Sequence, residues 1–154
     1  MSQNNELMLT RIIPAPAQIL FDCWTKPELI KKWFTPPPYT VPHVVTDLRT
    51  GGATVITMRS PEGQEVPNRG VYLEVDPGKK LVFTDAYTEA WIPSEKPFMT
   101  VTLTFEDLGD GTTRYTAKVV HWTQADKETH EKMGFHQGWG IATDQLAALA
   151  ATLK

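Results

Sequence analysis

Cysteine occurs once, at Cys23, which excludes an intrachain disulfide and a metal site built from this chain's own thiolates. No run approaches the ~18 apolar residues of a membrane-spanning helix. Charge of one sign is never concentrated: fifteen basic and eighteen acidic side chains leave a net charge of −3. That excludes the basic footprint of a nucleic-acid binder and the polybasic patch that holds anionic lipid. The opening MSQNNELMLT lacks the charged-then-apolar pattern of a secretory signal. A cytoplasmic protein is expected, with neither nucleic acid nor membrane as partner.

What remains is the composition of a folded globule. With 41% apolar and 21% charged residues over 154 positions, one domain spanning residues 1–154 is expected, large enough for one sizeable core. Leu7 to Ile13 reads as a strand stopped by Pro14 and Pro16. Pro16 suits a first helical turn, and Ala17, Leu20, Phe21 and Trp24 follow at helical spacing. Thr25 and Glu28 have capping-box spacing and predict a second short helix, with Leu29, Ile30, Trp33 and Phe34 inward. Pro36-Pro37-Pro38 ends it.

From Tyr39 to Trp122 the pattern is strands divided by turn residues: Gly51-Gly52, Pro61-Glu62-Gly63, Asp76-Pro77-Gly78-Lys79 and Asp110-Gly111. With the first strand this makes seven, turn-linked, in an antiparallel sheet. Val101, Leu103 and Phe105 share one parity and Thr102 and Thr104 the other, so one face is buried and one is wet. The same parity turns His121 inward. The last thirty residues read as a long amphipathic helix, with Phe135, Trp139, Ala142, Leu146, Leu149 and Leu153 as its stripe. Thr123 and Asp126 look like its cap, and Gly134 predicts a break. The helix must lay that stripe on the sheet.

The stretches RIIPAPAQILFDCWTKPELIKKWF, DLRTGG, MRSPEG, GVYLEVDPGKKLVFTDAY, VTLTFEDLGDGTTRY and HEKMGFHQGWGIATDQLAAL resemble the bacterial homologues of the activator of heat shock protein 90 ATPase. The resemblance implies the START-like (SRPBCC) superfamily and its α+β helix-grip fold. In that fold a curved seven-stranded antiparallel sheet wraps around a long C-terminal helix, with two short helices after the first strand. It also implies a cavity between sheet and helix that different members use for different small molecules, and a few for catalysis.

Binding of a small apolar or amphipathic ligand, without catalysis and without a cofactor, is therefore the expected function. Met58, Tyr72, Phe83, Trp91, His121, Met133 and Trp139 are the residues expected to form the wall, Met133 as adaptable apolar surface and His121 as a polar handle. Trp139 lies between Gly138 and Gly140, which either permit close contact with the sheet or leave room for a ligand. His121 is placed to meet His130 or His136, and a hydrogen bond anchoring the helix start is the simplest reason for it. His130 and His136 are six apart on different helix faces, so no metal site is expected.

An enzyme of cyclase or dehydratase type would need His121 or Glu74 as general base. Glu74, if inward, needs a cation such as Arg49 or Arg69. A chaperone-interaction module is the third reading. A twofold homodimer is expected from the open sheet edges and the short amphipathic helices.

Overall fold

The computed structural model describes residues 5–89, 92–94 and 98–153. Strand β1 (Glu6–Ile13) leads into helices α1 (Ala17–Thr25) and α2 (Pro27–Trp33). Strands β2 (Thr40–Thr46), β3 (Ala53–Arg59), β4 (Glu65–Asp76) and β5 (Lys80–Thr84) follow. A small hairpin, β6 (Tyr87–Glu89) and β7 (Ile92–Pro93), interrupts the succession before β8 (Met99–Asp107) and β9 (Thr113–His121). Helices α3 (Gln124–Lys132) and α4 (Phe135–Thr152) close the chain. The main sheet is antiparallel throughout, in the order β1-β9-β8-β5-β4-β3-β2.

Strand parity sets the core. Val101 pairs with Val119 and Leu103 with Ala117, all four fully buried, while Thr102 pairs with the more accessible Lys118. The β4–β5 turn forms at Asp76-Pro77-Gly78-Lys79, with Lys79 N–H donating to the Asp76 carbonyl at 3.0 Å and Gly78 at φ +75°. From the other side Phe135, Thr143, Leu146 and Ala150 of α4 enter the interior, and α4 meets β1, α1 and α2.

Three sequence expectations change in detail, and the expected break at Gly134 is present. Thr25 does not cap α2: its hydroxyl donates back to the Phe21 carbonyl at 2.9 Å, inside α1. Lys26 takes the capping position because Pro27 occupies the first turn and holds its predecessor extended, at φ −88° and ψ 121°. The long C-terminal helix is two, divided where Gly134 adopts φ +93°, a backbone conformation that glycine tolerates without strain. Beyond the seven expected strands, the segment after Thr84 carries the β6–β7 hairpin. Finally, an irregularity in the β4–β5 register lies between Tyr72 and Glu74. Tyr72 is buried, whereas Glu74 reaches the surface and pairs with Lys80 at 3.3 Å.

Candidate functional site

A cavity of about 310 Å³ opens on the inner face of the sheet at the β3–β4–β5–β8 end. Trp24, Phe34, Ile56, Phe83, Met99 and Val101 supply its apolar wall, and Thr54, Asn68, Thr84, Asp85 and Ser94 bring polar groups. A void of about 30 Å³ continues beneath it to Tyr72 and Leu81. At about 310 Å³ the cavity lies at the lower end of small-molecule sites.

Each wall residue is held by its element. Ile56 pairs with Val44 and Asn68, and Phe83 sits between Tyr72 and Val101 across two ladders. Gly70 lies against the Thr84–Asp85 backbone so closely that a Cβ would stand 2.4 Å from the Thr84 carbonyl oxygen. Tyr72 is pinned through its backbone: its N–H donates to the Gly52 carbonyl at 2.9 Å, and Gly51 N–H donates to its carbonyl at 2.8 Å. Burial pushes the Tyr72 phenol above its ordinary pKa.

Trp24 is the pivot between cavity and core. Its indole N–H donates to the Tyr115 hydroxyl at 3.2 Å, and its ring meets Trp33 edge-on at 4.8 Å and Trp139 nearly parallel at 6.2 Å. Trp139 in turn stacks on Phe135 at 5.6 Å. Thus Trp139 stands behind Trp24, one ring removed from the cavity, and none of the residues lining the cavity comes from α3 or α4. The expected space between α4 and the sheet is occupied by Phe135, Trp139, Leu146 and their neighbours in a single packed cluster. Neither glycine beside Trp139 makes room for a ligand. Gly138 faces open space, and a Cβ on Gly140 would stand 3.2 Å from the Arg11 guanidinium.

His121 lies elsewhere, at the end of β9, only 2% exposed. Its Nδ1 is 2.8 Å from the Asn5 carbonyl oxygen, which can only accept, so Nδ1 carries the proton. In the neutral ring Nε2 is then an acceptor, and His130 Nδ1–H donates to it at 2.8 Å. Phe98 lies edge-on to His121 at 5.3 Å, and Phe135 edge-on to His130 at 5.1 Å. Burial, with the neighbouring His121, lowers the His130 pKa to about 4. Both ring nitrogens of His121 are engaged, so the pair anchors α3 to the sheet. His121 also touches a smaller cavity of about 90 Å³ with Val120 and Trp122. Among the described residues no cluster of three or more His, Cys, Asp or Glu has metal-site geometry.

Of the residues expected in the wall, Phe83 and Tyr72 come together at the cavity and the void beneath it. Met58 follows Ile56 on the same strand face, half-buried and beyond the lining. Met133, the C-terminal cap of α3, is 75% exposed and lies away from the cavity wall. Trp91 lies outside the described residues. Sequence reasoning missed Phe34, Ile56, Asn68, Asp85 and Ser94, and assigned Trp24 to the core. The one available signal was the parity of β3, which puts Thr54 and Ile56 on the face of Met58.

A seven-stranded antiparallel sheet closed by a C-terminal helix, with two short helices after its first strand, is a helix-grip fold of START-like type. Residues 14–151 match the family model "Activator of Hsp90 ATPase homolog 1-like protein", and the chain belongs to that family. It is similar to a crystal structure from Nitrosomonas europaea, with 38% identity, 99% of this chain and 97% of that one covered, and a TM-score of 0.92. A Mycobacterium smegmatis crystal structure shares 28% identity, covering 94% of this chain and 90% of its own, at a TM-score of 0.76. A Staphylococcus epidermidis solution structure shares 26% over 100% of this chain and 94% of its own, at 0.81. No curated protein matches. No helix among the described residues is long and apolar enough to cross a membrane.

Proposed function

We propose that this protein binds a small apolar or amphipathic molecule, without transforming it, in the cavity bounded by Trp24, Phe34, Ile56, Phe83 and Val101. The observation that carries this reading is the cavity itself: about 310 Å³, with an apolar floor and a few convergent polar groups. The family name raises a second reading, a module that contacts an Hsp90-type chaperone. The catalytic reading is the weakest. His121 has both nitrogens engaged, Glu74 is exposed and paired with Lys80, and neither lines the large cavity.

Mass spectrometry of small molecules carried through a gentle purification, with tryptophan emission followed as an uncharged dye such as Nile red is added, tests the first reading. Binding at micromolar concentration, worth about 8 kcal/mol, that is lost when Phe83 is enlarged to Trp supports it. A chaperone pull-down that succeeds while no molecule binds would transfer the assignment to the second reading.

A further inference from the structure

Two hydroxyls meet at the floor of the cavity. Thr54 of β3 stands opposite Gly70 of β4, which brings no side chain, and Tyr72 is its diagonal neighbour on the same inner face. A diagonal neighbour is within reach of a side chain as long as tyrosine, and the Tyr72 phenol is hydrogen-bonded to the Thr54 hydroxyl. Thr54 borders both the cavity of about 310 Å³ and the void of about 30 Å³ beneath it, and Tyr72 borders the void. The pair sits where the two spaces join.

Counting protons separates this pair from the polar chain behind the wall. There the Trp24 N–H donates to the Tyr115 oxygen at 3.2 Å, Tyr115 O–H to the Thr143 hydroxyl, and Thr143 to the Trp139 carbonyl at 2.6 Å. Every donor in that chain has an acceptor. Tyr72 and Thr54 have two hydroxyl protons and one bond between them, so one proton is left over whichever of them donates. Among the described residues neither hydroxyl has a further hydrogen-bond partner. The rest of the void's described lining supplies no other donor: Ile56, Leu81 and Phe83 are hydrocarbon, and the Trp24 N–H is engaged by Tyr115. A buried hydroxyl proton is ordinarily matched by an acceptor, and a void of about 30 Å³ has room for one small group.

Resting on the ligand-binding reading, we infer that the ligand is a carbonyl compound whose oxygen enters the lower void and accepts the spare proton of the Tyr72–Thr54 pair, with its apolar body against Trp24, Ile56 and Phe83. A carbonyl oxygen only accepts. It matches a single spare donor and brings no proton of its own to be satisfied among hydrocarbon.

Benzylacetone and butylbenzene differ only in that one has a carbonyl where the other has a methylene. Calorimetric titration of both into the wild type and into Thr54→Val/Tyr72→Phe tests the inference. The double substitution keeps the side-chain shapes and removes both hydroxyls together, stranding no partner, so the melting temperature should hold. Benzylacetone should bind the double variant roughly tenfold more weakly than the wild type, while butylbenzene changes by less than about twofold.

Benzylacetone affinity that is unchanged by the double substitution, or that falls in step with butylbenzene, would overturn the inference and leave the cavity reading standing. Binding of Nile red without binding of benzylacetone would do the same, and failure of all three compounds to bind the wild type would overturn both. Should the double variant not fold, the infrared carbonyl stretch of benzylacetone bound to the wild type decides alone. A frequency lowered as it is in an alcohol supports the hydrogen bond, and the frequency it has in hexane refutes it.

Discussion

Trp24 on α1 and Tyr115 on β9 are joined by one hydrogen bond, indole N–H to phenolic oxygen, at 3.2 Å in the buried core. The bond fixes the plane of a ring that forms the cavity wall on one side and stacks on Trp139 behind it. Burial also drives the Tyr115 phenol far above its ordinary pKa, so it stays protonated and neutral. Tyr115→Phe should leave the Trp24 N–H without a partner and cost about 1–3 kcal/mol in urea denaturation. An unchanged denaturation midpoint would show that Trp24 is held by ring packing alone.

Leu146 of α4 is fully buried. Leu146→Ala should cost about 2–5 kcal/mol, and Leu146→Asp should abolish folding by placing an unpaired charge in the core. Circular dichroism melting decides it; a cooperative transition for Leu146→Asp at the wild-type temperature would contradict the packing of α4.

Glycines in two settings should respond in opposite directions. Gly70→Ala must displace the Thr84 carbonyl, from which its Cβ would be 2.4 Å, and should be clearly destabilising. Gly138 sits inside α4 with nothing within 4 Å of a Cβ, so Gly138→Ala should stabilise by about 0.5–1 kcal/mol. Melting temperatures of the two variants, measured side by side, give the test.

The His121–His130 pair makes stability depend on pH. With the His130 pKa lowered to about 4 against an ordinary value near 6.5, the unfolded chain binds the proton more readily than the folded one. The stabilisation is complete above about pH 6.5 and is lost as the pH falls towards 4. Denaturation midpoints between pH 7.5 and pH 5 should fall for the wild type and fall less for His130→Gln. Parallel curves for the two proteins would show that His130 is not the responsible group.

Cys23 has no exposed surface, and burial together with nearby Asp22 pushes its thiol up to about 11. The thiolate is the reactive form, so a thiol reagent at pH 8 should modify Cys23 only at the rate of unfolding. Rapid labelling of the native protein would show that α1 opens locally.

Local rules reach far in this chain. The alternation of Val101 and Leu103 with Thr102, the turn at Asp76-Pro77-Gly78-Lys79, the Thr123 cap on Asp126 N–H and the break at Gly134 all depend on residues within about four positions of one another. Their physics is contained in the sequence: pleat parity, positive φ and orphan helix N–H groups. Even the inward turn of His121 follows from counting along β9. The site was decided otherwise. A cavity exists where side chains from distant segments fail to fill a space, and that sum closes only in three dimensions. Phe135, Trp139 and Leu146 fill the gap beneath α4, so the opening lies instead among Phe34, Ile56, Phe83 and Ser94, residues spread over sixty positions. The irregularity that exposes Glu74, the helix phase that exposes Met133 and the meeting of His121 with His130 likewise arise from how finished elements dock, which no local pattern encodes.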